Sequence, residues 1–193
     1  MKTKLLKSLF VSFLALILPA CTSVGVQTSM GDPEDVFSPE QLEGGWLIHA
    51  DENDKTAYDL RHLADGSIRI ATLDWNPKKR AFQAVEYEGL FLRIGKEPYL
   101  QVRDTSSEDN LFYFYRVAMK GEDGVILHPP SLAPFVRAVE AGELAGTVKQ
   151  SKGSATSVVL DVGLELRSYL ESSEGSSLFP AGDEDVIAER LNR

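Results

Sequence analysis

From Gly45 to His128 the chain is divided into short runs rich in β-branched, aromatic and aliphatic residues. GWLIHA, TAYDLRHL, IRIATLDW, AFQAVEYEG, LFLRIG, EPYLQVRD, LFYFYRVAM and VILHPP follow one another in that order. Most are separated by polar or glycine-containing loops: DENDK, ADGS, NPKKR, TSSEDN and GEDG. Runs of this length with period-two patterning and regular turn signals predict an all-β barrel or sandwich. Asp65-Gly66 between alternating flanks is the sharpest of the turns and predicts a hairpin.

The pattern changes at Ser131. In SLAPFVRAVEAGEL, Leu132, Phe135, Val136 and Val139 form a helical stripe, and Gly142 stands near its end. Pro134 falls in the first turn, where its missing N–H costs little. GTVKQ and SVVLDV read as two further strands, and GLELRSYLESS as a short helix. DEDVIAERL has acids at its start and Arg190 near its end, the charge order that suits a helix dipole, and predicts a C-terminal helix. The expected fold is mainly β, with a late helix and a short C-terminal helix, in one domain over residues 40–193.

The amino terminus reads as an address. Lys2, Lys4 and Lys7 precede an apolar run, Leu9 to Leu18, with one serine in it. A basic segment, a short apolar segment and a small residue are the parts of a secretory signal peptide, here residues 1–20. The run is too short to span a bilayer, which takes about 20 apolar residues. It ends in LPAC, and Cys21 is the only cysteine of the chain. A lone thiol in an exported protein makes no disulfide framework.

LPAC resembles the bacterial lipobox, with Leu18 and Ala20 at the positions that family keeps. The resemblance implies cleavage before Cys21, acyl chains on its thiol and amino group, and a membrane-anchored lipoprotein. Thr22 follows the cysteine, where an acid would imply inner-membrane retention in Gram-negative lipoproteins, so the outer membrane is expected, with the domain in the periplasm. Residues 21–39 are polar and interrupted by Gly and Pro, and read as an acylated terminus and flexible tether, with a reach of roughly 25 Å.

Charge excludes one class of partner. The chain carries a formal −9, and without its first three lysines −12. Nucleic acid needs clustered Lys and Arg, so no nucleic-acid partner is expected. Attachment to lipid through acyl chains, rather than through basic residues, fits the same balance.

EGGW, Glu43 to Trp46, places a Gly-x-Trp at the first strand of a domain of this size. It resembles the opening of lipocalins and the wider calycins, eight-stranded antiparallel barrels. The resemblance implies that Gly44 and Trp46 are structural, with Trp46 packed across the closed base of the barrel. AVEAGELAG, Ala138 to Gly146, together with the Gly-x-Trp, is similar to a group of proteobacterial lipoproteins with a late AGxLxG helix end. That second resemblance implies no activity.

No catalytic constellation stands out. There is no G-x-S-x-G elbow and no phosphate-binding glycine loop. Asp51, Asn53 and Asp54 beside His49 lack the glycine and distal glutamate of a calcium loop, and His62 and His128 have no zinc-ligand spacing. Glu86 and Glu88 share a strand face and read as solvated. No enzyme, metal or cofactor is expected. The aromatics carry more information. Tyr58, Trp75, Phe82, Tyr87, Tyr99, Phe112 and Phe114 are candidates to line a barrel core or a ligand. LFYFYRVAM is aromatic on both faces, which makes Tyr113 and Tyr115 candidates for a partner surface or for packing under the late helix. Two roles follow: a non-catalytic module holding an apolar or amphipathic small ligand in a hollow barrel, or a solid barrel that docks another envelope protein.

Overall fold

The computed structural model of the protein describes residues 22–49, 55–76, 79–121, 123–150, 156–171, 175–182 and 184–191. Strands are numbered along the chain from β1 (Thr22–Val26) to β11 (Val186–Arg190). Hairpins set most of the order. Asp65 accepts the N–H of Ser67 at 2.9 Å and Gly66 takes φ +85°, folding β3 (Lys55–His62) onto β4 (Ile68–Asn76) at the turn the sequence marks. Antiparallel pairing likewise joins β2 (Gly44–His49) to β3, and β4 to β5 (Ala81–Ile94). It continues through β6 (Glu97–Asp104), β7 (Phe112–Met119) and β8 (Gly124–His128). β11 then fits between β2 and β8, antiparallel to both, and closes eight strands into a barrel. The mainly β barrel with two short helices is the fold the strand pattern predicts.

Several readings of the sequence change. AFQAVEYEG and LFLRIG are one strand, β5, with Gly89 inside it. A Cβ at Gly89 would lie 2.5 Å from the Gln101 carbonyl oxygen and 2.9 Å from the Val102 side chain. Glycine is there because β6 passes close, not because the chain turns. Gly89→Ala is expected to cost about 1–3 kcal/mol, the usual penalty of overpacking. A thermal melt reads it, and an unchanged midpoint would show that the two strands have room to part.

The second correction is the C-terminal segment. DEDVIAERL forms no helix; its residues 186–190 are β11. Its acids and Arg190 do match a helix dipole, but so short a helix holds few internal hydrogen bonds. As a strand the same residues pair on both edges, with Ala188 turned inward at 7% exposure. Tertiary pairing outweighs the local preference.

A second layer packs outside the barrel. β1 pairs antiparallel with the start of β7 and parallel with β10 (Thr156–Leu160), and β10 pairs antiparallel with β9 (Gly146–Gln150). Two helices complete it, α1 (Leu132–Ala141) and α2 (Gly163–Glu171). The residues read as a tether are therefore part of the domain. Met30 is fully buried, its N–H donates to the Oε1 of buried Gln101 at 2.8 Å, and Arg167 of α2 holds Asp32 and Asp35 at 3.1 and 2.9 Å. Polar, Gly- and Pro-interrupted composition is shared by a flexible lead and by an irregular segment whose polar groups find partners; here they find them.

The two layers give two cores. One fills the barrel; the other lies between the outer faces of β5, β6 and β7 and the second layer. Strand alternation feeds both from the same strands. On β7, Tyr113, Tyr115 and Val117 point inward, while Phe112 and Phe114 point to the second core. Phe114 meets Phe135 of α1 and Phe179 edge-on, with ring centres at 5.9 and 6.0 Å. This is why LFYFYRVAM is aromatic on both faces.

Candidate functional site

An eight-stranded barrel has an interior just wide enough for side chains, and here side chains occupy it. Trp46, Tyr58, Tyr87, Phe91 and Tyr115 are each at most 8% exposed and pack with aliphatic residues of the facing strands. Burial pushes the Tyr115 hydroxyl far above its ordinary pKa, with Tyr113, Tyr87 and Tyr58 adding to the effect, so it stays neutral. Trp46 is held in place at the start of β2 as well. The indole N–H donates to the Leu42 carbonyl at 2.8 Å, and the Arg190 guanidinium lies 4.8 Å over the ring while donating to the Glu43 carbonyl at 3.0 Å. Gly44, at φ +119°, makes the turn into β2 that only glycine adopts without strain.

The open space lies outside the barrel, where the sheet forks. β7 pairs with β1 at its start, Tyr113 opposite Gly25, and with β8 further along, Arg116 opposite His128. β1 and β8 diverge across the stretch between. Pro129 and Pro130 end the β8 ladder because neither has an N–H to give, and Ser131 then starts α1. The fork opens a cleft of about 1000 Å³, at the upper end of small-molecule sites. Val24, Phe114, Leu132, Val136 and Val148 supply apolar wall, and Ser23, Arg137, Gln150 and Thr156 supply polar groups.

One wall is a strap, described over residues 178–182 and 184–186 and held at several points. Ser131 N–H donates to the Leu178 carbonyl at 2.7 Å, and Arg116 reaches the Phe179 carbonyl at 3.4 Å. His128 Nδ1 and Asp185 Oδ1 lie 2.7 Å apart with both side chains largely buried, and Asp185 also accepts the Gly182 N–H. The first turn of α1 borders the cleft too. It contains no acid, and Ser131 makes no side-chain cap, so the local helix dipole favours negative charge there.

The candidates from the sequence separate into distinct places. Tyr58 and Tyr87 are inside the barrel, while Tyr99 and Phe114 are in the second core. Burial, with Glu97 adding and Arg116 opposing, pushes the Tyr99 hydroxyl up to about 12. Phe112 is half-buried with the Arg103 guanidinium over its ring at 5.1 Å. Phe82 is not in any core: it is 67% exposed, at the start of β5 beyond the reach of β6. The Trp75 side chain lies outside the described residues, as do Cys21, residues 1–20 and the Asp51–Asp54 loop.

Tyr113 and Tyr115 do not form a docking face. Tyr115 is 4% exposed and Tyr113 half-buried, and both turn inward while bordering the cleft. Alternation from Phe112 and Phe114, which belong to the second core, dictates this. Glu88 on the exposed face pairs with Arg103 at 2.8 Å. His62 Nε2 sits 3.3 Å from the Pro39 carbonyl. His49 Nε2 lies 3.2 Å from a Glu189 carboxylate oxygen, an ion-pair distance without hydrogen-bond alignment. Among the described residues no three His, Cys, Asp or Glu side chains converge as a metal would require.

Sequence reasoning missed the cleft and Arg137, which look in one dimension like a helix flank. It also missed the role of Arg190, though an arginine on the last strand and a tryptophan on the first are a pair that barrel closure would bring together. The chain matches no protein-family profile, no curated protein and no solved structure.

Proposed function

We propose that the chain is an acylated envelope lipoprotein whose domain is a non-catalytic binding module for an apolar or amphipathic small molecule, held in the cleft beside the barrel. The observation that carries this reading is the contrast between a filled barrel and an open cleft of about 1000 Å³ with a largely apolar wall. A catalytic role has less support. The histidines described above are paired or packed, and the acids of the cleft wall, Glu184 and Asp185, flank no nucleophile–base pair.

The anchor and the cleft are close in the chain. β1 begins at Thr22, one residue after Cys21, and Ser23 and Val24 are cleft wall. An extended chain advances at most about 3.6 Å per residue, so Val24 is within about 11 Å of the acylated residue. On this reading the domain rests against the bilayer, and its ligand is a molecule that partitions there.

A second reading, a solid structural module that docks an envelope protein, is favoured by one feature. The β4–β5 hairpin presents Leu73 and Phe82, each 67% exposed. Native mass spectrometry of the mature protein, released gently from membranes, separates the two. A discrete extra mass that denaturation removes is the expected result. A bare acylated protein mass across several preparations would sink the small-ligand reading and leave the docking role.

A further inference from the structure

Among the described residues, Arg137 is the only lysine or arginine on the cleft wall. Its side chain is exposed on α1, and among the described residues no carboxylate is within ion-pair distance of it. The acids of the wall are on the strap instead. Asp185 is engaged by His128 and the Gly182 N–H, which leaves Glu184 near the surface on a different wall. A single unpaired guanidinium at the edge of an apolar cleft is a place for one acidic group attached to an apolar body. The acid-free first turn of α1 carries the same sign of field.

We propose that the cleft takes a long-chain amphiphile with an acidic head, drawn from the bilayer beside Cys21, with the head at Arg137 and the chain along Leu132, Val136 and Val148. This rests on the binding role proposed above and adds the ligand class and its orientation. A carboxylate and a phosphate head share the chemistry: each accepts two parallel N–H bonds from a guanidinium. A neutral head of the same size cannot do so. The short distance from the anchor to Ser23 and Val24 keeps the cleft near the membrane in which such a molecule dissolves.

The test uses the full chain, matured in cells, reconstituted into lipid nanodiscs and irradiated with diazirine-bearing probes of one chain length. The probes are a fatty acid, the matching fatty alcohol, and a phosphatidylglycerol. The acidic probes should label peptides from α1 and β9 about tenfold more than the alcohol, and whichever labels more identifies the source. Arg137→Glu should bring acidic labelling down to the level of the alcohol, and Arg137→Lys, which keeps the charge but not the paired N–H donors, should fall between the two. Arg137 is exposed, so the melting temperature should not move; it serves as the folding control.

Equal labelling by acid and alcohol, or labelling that survives Arg137→Glu, overturns the head-group assignment while leaving a ligand-binding cleft. Labelling of the cleft by none of the probes overturns the small-ligand reading as well. The two failures are therefore distinguishable.

Discussion

A chain that ends at Asp185 is expected to lose its cooperative thermal transition altogether. β11 pairs with β2 from His49 to Trp46 and with β8 from Leu127 to Gly124, so its removal opens two strand edges at once. Each hydrogen bond contributes about 0.5–1.5 kcal/mol net. The loss also uncovers the barrel core beside Ala188 and takes away the Arg190 guanidinium over Trp46. Several such losses together exceed the roughly 5–15 kcal/mol that holds an ordinary domain. Exposed edges favour aggregation, so the truncated protein should be recovered mainly as insoluble material. Arg190→Ala alone should fold with a lowered midpoint, because the strand remains. A truncated protein that melts cooperatively, with native near-UV circular dichroism, would show that β11 is not the closing strand.

The proposed anchor gives the second large effect. Cys21→Ser should abolish incorporation of an alkyne-tagged fatty acid into the protein. Placed behind a conventionally cleaved secretory leader, the same variant should move from the membrane pellet to the soluble fraction almost completely. Each buried methylene contributes about 0.8 kcal/mol, and a single myristoyl-sized chain already gives measurable binding. Several chains hold a protein for far longer than a fractionation takes. No helix among the described residues is long and apolar enough to cross a membrane in their place. Labelling that persists in Cys21→Ser would remove the lipobox reading, and a variant that stays with membranes by electrostatics would be released by salt.

These expectations mark how far the linear pattern reaches. Turn chemistry gave the hairpins correctly: Asp65-Gly66 and the loop around Gly121 sit where β3–β4 and β7–β8 reverse. The α1 stripe and its Gly142 terminus, at φ +75°, were legible for the same reason, since a helix cap is a local event. The pattern divides β5 into two runs at Gly89, because a break between strands and a close strand approach both select glycine. Residues 22–39 were misread because their partners, Gln101, Leu160 and Arg167, are far along the chain. Nothing near Met30 announces a glutamine that will accept its N–H.

The β character of the domain, the reversal points of its hairpins and the position of its first helix are written in the linear pattern. All of these depend on side-chain period and on backbone preferences within a few residues. That the eighth barrel strand is the carboxy-terminal one, and that side chains fill the barrel, emerges only once the strands are assembled. The same holds for the cleft at the fork of β7, whose walls come from β1, α1, β9 and the strap. Closure and empty volume are properties of elements meeting across the whole chain. No local pattern encodes which strand finds the last open edge, or where two layers fail to touch.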